Sequence, residues 1–220
     1  MKWTVVVPVK DAGAGKSRLG AWLDAPARVD LARAMALDTI AAVAACQSVG
    51  SVWVVTADPV VSVEAVGLPD AVAPVEVLGE PNERGTLSGL NAAVAAGVVA
   101  ACGAVLDGAV AALLGDLPAL RPSELESALV AAGRRARAFV PDAAGTGTTL
   151  LTAGPGVGLA PRFGPGSAAA HAALGYEALA GDQWPSLRLD VDLPGDLEAA
   201  RALGLGPRTA AAVRRLPITS

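Results

Sequence analysis

The first twenty residues, MKWTVVVPVKDAGAGKSRLG, constrain the fold more than any other stretch of the chain. The apolar, β-branched run 3–9 predicts a buried strand, and it ends in a Gly-rich loop that carries Lys10, Lys16 and Arg18. In open α/β sheets, ligands bind at the carboxyl ends of the strands. Backbone N–H groups and fixed positive charges in one loop suit a polyphosphate, whereas the alternative is a solvated surface loop.

The loop matches only the second half of the P-loop pattern G-x-x-x-x-G-K-[ST], in Gly15, Lys16 and Ser17. The position that requires the first glycine holds Lys10, which cannot supply the tight turn. Asp11 also interrupts the loop. The pattern therefore disfavours a P-loop NTPase.

Alternating strand and helix patterns follow the first strand, which predicts a single-domain α/β fold with a mostly parallel sheet sandwiched by helices. Hydrophobic residues make up 53% of the 220-residue chain but aromatic residues only 3%, so we expect a core of Ala, Val and Leu. The domain is predicted over 1–204, followed by a C-terminal tail, 205–220, with a short basic helix. Strands are predicted at 3–9, 51–56, 75–78, 109–114, 137–140, 148–152 and 187–191, and helices at 24–45, 88–101, 122–136 and 194–203.

The charge and cysteine content exclude several classes of function. A net charge of −4 argues against a nucleic-acid partner bound through bulk positive charge. The N-terminus lacks a signal-peptide pattern, and glycines and an aspartate interrupt the apolar stretch 89–112, so we expect no membrane association. Cys46 and Cys102 lie in Ala-rich helical stretches and are interpreted as buried small hydrophobes. We therefore expect a reduced, cytoplasmic protein.

Three aspartates lie at or just beyond the ends of predicted strands. Asp116 comes directly after the strand 109–114, and Asp190 and Asp192 are two residues apart on an extended stretch, so that both point to one face. Like charges this close are costly unless a cation or a proton compensates them. Mg²⁺ suits such oxygen ligands and takes substrate phosphates as further ligands. The alternative is a helix N-cap before Pro194, a role that fits Asp192 better than Asp190.

Together, P-V-K, K-S-R-L, G-D-L-P and D-V-D-L-P-x-D-L resemble the motifs of the small GT-A-type nucleotidyltransferases of coenzyme F-420 biosynthesis. These are the 2-phospholactate guanylyltransferases and their phosphoenolpyruvate guanylyltransferase relatives, and the resemblance spans residues 2–204. It implies a Rossmann-like GT-A nucleotidyltransferase fold, Mg²⁺ as cofactor, and transfer of GMP from GTP to phosphoenolpyruvate or 2-phospholactate. It also implies a partner, the next enzyme of the pathway, which accepts the unstable product.

The resemblance extends to a Thr-rich turn, 145–149, and to R-F-G-x-x-S at 162–167. Hydroxyls and a backbone N–H at a helix start suit a small carboxylate or phosphate. Glu83 is interpreted either as a guanine contact or as a solvated acid, and His171 either as helix surface or as a neighbour of the acceptor site. The resemblance implies phosphoenolpyruvate binding by Thr149, Gly164 and Ser167, nucleotide binding by Pro8, Lys10, Lys16, Glu83 and Asn91, catalysis by Lys16, Arg18 and Asp116, and metal binding by Asp116, Asp190 and Asp192.

The predicted chemistry needs no general base, because the acceptor phosphate is already an anionic nucleophile. The protein has to hold an in-line geometry and to screen charge, with Lys16 and Arg18 neutralising the leaving pyrophosphate. Two alternatives remain open at this point. One is a molybdopterin- or sugar-phosphate-type nucleotidyltransferase on the same fold, and the other is a non-catalytic nucleotide-binding module, which would not need the acidic trio.

Overall fold

The computed structural model describes residues 1–13, 19, 22–81, 87, 89–104 and 108–216, apart from the side chains in 102–104. Strands and helices alternate along most of this length. The strands are β1 (Trp3–Val9), β2 (Val49–Thr56), β3 (Val75–Leu78), β4 (Ala109–Leu113), β5 (Arg137–Pro141), β6 (Thr148–Ala153) and β7 (Glu177–Ala178). The helices are α1 (Ala25–Ala44), α2 (Pro59–Val66), α3 (Gly89–Ala104), α4 (Pro122–Ala132), α5 (Ser167–Ala173), α6 (Pro185–Arg188), α7 (Pro194–Leu203) and α8 (Pro207–Arg215).

The strands form one seven-stranded sheet in the order β3-β2-β1-β4-β6-β5-β7. Neighbouring strands from β3 to β4 run parallel, and β6 runs antiparallel to both β4 and β5. β7 then pairs in parallel with β5. The predicted α/β fold with a mostly parallel sheet is therefore confirmed, and β6 is its antiparallel element.

Both faces of the sheet are covered by helices, which explains why every residue of β1 is buried. Val5 and Val7 belong to a large core cluster that includes Ile40 of α1 and Leu125 of α4. Val6 points to the other face and packs with Ala93 of α3, because successive side chains of a strand alternate between the faces. The sheet is thus a rigid base for the loops at its edges.

Most predicted elements are confirmed, with bounds that differ by a few residues. α1 begins as predicted, because the Asp24 side chain accepts a hydrogen bond from the Ala27 N–H at 2.8 Å. The predicted strand 187–191 is wrong. Pro185 opens the short helix α6, and Leu187 is fully buried within it. Helices α2 and α5 and the strand β7 were not predicted.

The segment 205–220, predicted as a tail, carries α8, and this helix packs against α1. Asp38 of α1 caps it, since its carboxylate accepts hydrogen bonds from the Arg208 N–H at 3.1 Å and the Thr209 N–H at 2.7 Å. Arg208 also pairs with Glu64 of α2. The described residues of this segment, 205–216, are therefore packed against the rest of the fold.

Within the described part of the chain, no helix has both the length and the apolar character that a membrane span requires.

Candidate active site

A cavity of about 670 Å³ lies at the carboxyl ends of β1 and β4, where the strand order reverses. The chain leaves β1 towards β2 on one side, while β4 is the neighbour on the other side. Such a switch point is where open α/β sheets bind ligands. Of the predicted site residues, the cavity lining contains Pro8, Lys10, Asp116, Gly164, Ser167, Asp190 and Asp192.

The turn after β1 is held by a buried carboxylate, that of Asp58. It caps α2, accepts from the Ala12 N–H at 3.3 Å, and pairs with the Arg33 guanidinium at 3.0 Å. Burial raises the pKa of Asp58, but the hydrogen bonds from the Val61 N–H and from Arg33 outweigh it, so the pKa lies below its usual range. The base of the basic loop is therefore fixed beside Lys10, which is exposed at the cavity.

Gly115 brings the end of β4 against the end of β1. A Cβ atom at this position would lie 2.9 Å from both the Pro8 carbonyl oxygen and the Val9 Cγ2 atom. A residue with a side chain would push the two strand ends apart, so this close approach requires glycine. The glycine thereby sets the spacing between the Lys10 loop and Asp116.

The two C-terminal aspartates are tied to Asp116 through the backbone. The Val191 N–H donates to the Asp116 carbonyl oxygen at 3.1 Å, and the Val191 side chain is fully buried. Asp190 and Asp192 flank this anchor, and both line the cavity. The N-cap alternative for Asp192 is wrong, because Leu193 is the N-cap of α7 and the Asp196 carboxylate accepts from the backbone N–H groups of residues 192 and 193.

These three aspartates line one cavity but do not form a closed metal cage. Among the residues that the structure describes, no three or more His, Cys, Asp or Glu side chains are grouped so as to hold a metal ion. The donor set nevertheless fits Mg²⁺ chemically, since carboxylate oxygens are hard ligands. Mg²⁺ usually takes one or two carboxylates and completes its shell with waters and substrate phosphates.

Two turns form the opposite wall. One contains Thr146, in the turn between β5 and β6, and is followed by Thr148, the first residue of β6. The other runs from Gly164 to Gly166 and leads into Ser167, the first residue of α5. The Ala168 N–H donates to the Thr146 carbonyl oxygen at 3.1 Å and joins the two turns. Gly164 has φ 126° and Gly166 φ 73°, conformations that suit glycine, so this turn demands its glycines.

The cavity lining contains Thr148 and not its neighbour Thr149, whose contact with the acceptor stays a prediction. The pairing of β5 with β6 shifts after Val140, so that Pro141 pairs with Thr148 and Thr149 is passed over. The Thr149 side chain is fully buried and lies outside the cavity lining. A one-residue irregularity in a strand leaves no mark in the sequence, and two adjacent threonines offered no basis for choosing between them.

Asn91 makes a structural contact, and the nucleotide contact predicted for it stays a prediction. Its amide donates to the Phe163 carbonyl oxygen at 3.0 Å and accepts from the Phe163 N–H at 2.8 Å. The residue lies outside the cavity lining. Asn91 therefore holds the turn that carries Gly164 against α3. Because Asn91 and Phe163 are 72 residues apart, the sequence pattern could not predict this pairing.

His171 lies beneath the same turn and is fully buried, so the interpretation as helix surface is wrong. Its Nε2 accepts from the Arg162 N–H at 2.9 Å, and its Nδ1 lies 2.9 Å from the Thr148 Oγ1. Burial, helped by the nearby charge of Arg162, lowers the pKa of His171 to about 4. The imidazole is therefore neutral at neutral pH.

Three predicted site residues, Lys16, Arg18 and Glu83, lie outside the described residues.

Comparison with solved structures shows which known proteins share this fold. A nucleotidyl transferase from Methanothermobacter thermautotroptrophicus superimposes with a TM-score of 0.55 at 18% identity, covering 92% of this chain and 97% of that one. A 4-diphosphocytidyl-2C-methyl-D-erythritol synthase gives a TM-score of 0.54 at 14% identity, covering 92% of this chain and 98% of that one. The fold is therefore that of the nucleotidyltransferases.

Sequence comparison gives the family. Residues 3–199 match the family described as guanylyl transferase CofC like, and the chain belongs to this family. A phosphoenolpyruvate guanylyltransferase from Salinispora arenicola is 54% identical over 94% of this chain and 92% of that protein. A phosphoenolpyruvate guanylyltransferase from Streptomyces coelicolor is 50% identical over 99% of both chains. The resemblance drawn from the four sequence motifs is thus confirmed.

Proposed function

We propose that this protein transfers GMP from GTP to phosphoenolpyruvate, giving enolpyruvyl-diphospho-guanosine and pyrophosphate. The observation that carries the proposal is that a single cavity joins a cationic strand end, the three predicted metal-binding aspartates and a wall lined by hydroxyls, glycines and Asp142. A nucleotide triphosphate and a small phosphorylated acid each find complementary chemistry there. Relatives about half identical to this chain carry the name phosphoenolpyruvate guanylyltransferase, which supports this pair of substrates.

We assign the nucleotide to the β1 side of the cavity. Lys10 stands at the cavity mouth, and the sequence continues into Lys16 and Arg18. Guanidinium and ammonium groups suit the charge that develops on a leaving pyrophosphate. Pro8, at the edge where β1 approaches Gly115, lies beside the nucleotide, and Glu83 is the candidate for recognising the guanine base.

We assign the acceptor to the opposite wall. The Thr148 and Ser167 hydroxyls and the backbone at Gly164 form a small polar surface that suits the carboxylate of phosphoenolpyruvate. With the carboxylate there, the phosphate of the acceptor extends towards Asp116 and Asp190. The substitution of 2-phospholactate for phosphoenolpyruvate would leave both charged ends in place, so the two acceptors are tested side by side below.

Mg²⁺ is the proposed cofactor, and Asp116, Asp190 and Asp192 are the residues that would hold it. A bound Mg²⁺ would neutralise phosphate charge and polarise the α-phosphorus. The hydrogen bond from the Val191 N–H to the Asp116 carbonyl oxygen holds together the two backbone segments that carry these carboxylates. Because the described residues do not form a complete set of metal ligands, the site suits an ion that takes its remaining ligands from the nucleotide phosphates and water.

The reaction follows from positioning and charge. An acceptor phosphate oxygen attacks the α-phosphorus of GTP, forming one P–O bond. The bond from the α-phosphorus to the bridging oxygen breaks, and pyrophosphate leaves with the electron pair. No proton has to be removed from the nucleophile, which agrees with a cavity lined by carboxylates, hydroxyls and Lys10. We place the reaction in the cytoplasm, with the next enzyme of the pathway as acceptor of the unstable product.

A pyrophosphate-release assay tests the proposal. The protein is incubated with Mg²⁺, each of the four common NTPs, and either phosphoenolpyruvate, 2-phospholactate or a sugar 1-phosphate. We expect release with GTP and phosphoenolpyruvate above all other pairs. Asp116→Asn, matched in size, should abolish release and leave the circular dichroism spectrum unchanged. Turnover with the sugar phosphate alone would overturn the proposed function and leave the fold assignment intact.

A further inference from the structure

We infer that His171 is a positioning residue that turns the Thr148 hydroxyl into a hydrogen-bond donor aimed at the acceptor. The inference rests on the proposed function, because it concerns the wall to which the acceptor is assigned. His171 itself is fully buried and does not line the cavity, so it acts on a ligand through its neighbours, and on the donor direction through Thr148.

The hydrogen bond between the Arg162 backbone N–H and His171 Nε2 can have only one direction. The Arg162 backbone N–H lies 2.9 Å from His171 Nε2, and a backbone N–H can only donate. Nε2 must therefore be unprotonated. A neutral imidazole carries its single proton on the other nitrogen, so the proton sits on Nδ1.

The protonated Nδ1 of His171 lies 2.9 Å from the Thr148 Oγ1. With its proton in place, Nδ1 donates and Oγ1 accepts. The hydroxyl hydrogen of Thr148 is then not used in this contact. Within the part of the chain that the structure describes, this is the hydrogen bond that the Thr148 side chain makes. Thr148 also lines the cavity, and we assign its remaining hydrogen to a ligand there.

The donor direction matters because the oxygens of a carboxylate or phosphate only accept. If Nδ1 were unprotonated, Thr148 would have to donate to it and would present lone pairs to an anion. The arrangement therefore favours an anionic acceptor over a neutral ligand of the same shape. The same imidazole also holds the Arg162 N–H, so it links the two turns that form the acceptor wall.

An aromatic cluster keeps the imidazole in this orientation. The ring centroids of Phe139, Phe163 and Tyr176 lie 6.0, 5.3 and 5.6 Å from that of His171. Burial, with the charge of Arg162, lowers the pKa of the imidazole to about 4, so the neutral form persists at neutral pH. A ring flip would place the carbon Cε1 against the Arg162 N–H and the carbon Cδ2 against the Thr148 Oγ1, and so break both hydrogen bonds.

The first test is spectroscopic and needs no substrate. The chain contains one histidine, so protein labelled with ¹⁵N-histidine gives a single imidazole spectrum. At neutral pH we expect Nδ1 to be protonated and Nε2 to show the shift of an unprotonated ring nitrogen. A proton on Nε2, or a cationic ring, would overturn the inference whatever the protein catalyses.

The second test separates the two nitrogens by substitution. The amide of Asn mimics Nδ1, and that of Gln mimics Nε2, so His171→Asn retains a donor for Thr148 whereas His171→Gln does not. We expect His171→Gln and Thr148→Val each to raise the KM for phosphoenolpyruvate about tenfold, with the KM for GTP unchanged. His171→Asn should raise it less. Tyr176→Phe, which removes another buried hydroxyl from the cluster, is the matched control and should leave both constants near wild type.

The double variant His171→Gln with Thr148→Val completes the test. If His171 acts through Thr148, the two effects on the KM for phosphoenolpyruvate should not multiply, and the double variant should resemble Thr148→Val. Multiplied effects, or equal loss in His171→Asn and His171→Gln, would overturn the inference. Absence of turnover in the wild-type protein would instead count against the proposed function, and the ¹⁵N spectrum would still decide the tautomer.

Discussion

Acid should destabilise this protein through His171. The pKa of this histidine is lowered from an ordinary 6.5 to about 4 in the folded state, because the ring is buried beside Arg162. The unfolded chain therefore binds a proton at a pH where the folded chain does not. The stabilising contribution is fully present above pH 6.5 and is lost as the pH falls towards 4.

The magnitude follows from the two pKa values. At about pH 5 the unfolded chain is nearly all protonated at this site and the folded chain is not, which lowers the free energy of unfolding by about 2 kcal/mol relative to neutral pH. Asp58 and Glu126 have pKa values below their usual ranges, so their contributions are lost only at lower pH. The window between neutrality and pH 5 therefore isolates the histidine.

Urea unfolding followed by the fluorescence of the four tryptophans measures this effect. Wild type and His171→Phe are compared at about pH 7.5 and about pH 5, conditions that span the titration of an ordinary histidine. His171→Phe keeps an aromatic ring in the cluster but cannot titrate, so its stability should change less between the two pH values, by about 2 kcal/mol. Equal pH dependence in the two proteins would refute the reasoning.

Three further substitutions test other parts of the site. Gly115→Ala should place a methyl group against the Pro8 carbonyl oxygen, lower the free energy of unfolding by roughly 1–3 kcal/mol and reduce turnover, which denaturation and the pyrophosphate assay measure together. Lys16→Ala should raise the KM for GTP about tenfold and leave that for phosphoenolpyruvate nearly unchanged, and the reverse pattern would contradict the assignment of this loop. Asp38→Ala should remove both hydrogen bonds at the start of α8 and cost about 1–2 kcal/mol of stability without changing either KM.

The sequence predicted the features that depend on local pattern. An uninterrupted β-branched run marks β1, and Asp24 followed by Pro26 marks the start of α1. The position of Asp116 after β4 also follows from pattern, since an acid at the end of a buried apolar strand lies at the edge of the sheet. These features were predicted correctly because each depends on residues that are close together in the sequence.

The features that sequence reasoning missed depend on distant contacts. The roles of Asn91 and His171 arise from partners that the fold brings together, namely Phe163 and Thr148. The presence of Thr148, and not Thr149, in the cavity lining depends on an irregular strand register. The short apolar pattern at 187–191 predicted a strand, but the structure has the helix α6 there. Pro185 begins this helix and Leu187 is buried within it, and both outweigh the short apolar pattern.

A crystal structure of the protein with phosphoenolpyruvate and Mg²⁺ would show whether the acceptor binds in this cavity. We expect the carboxylate of the ligand against Thr148, Gly164 and Ser167, and its phosphate on the side of Asp116 and Asp190. Binding outside the cavity at the ends of β1 and β4, or with the phosphate against Gly164, would contradict it.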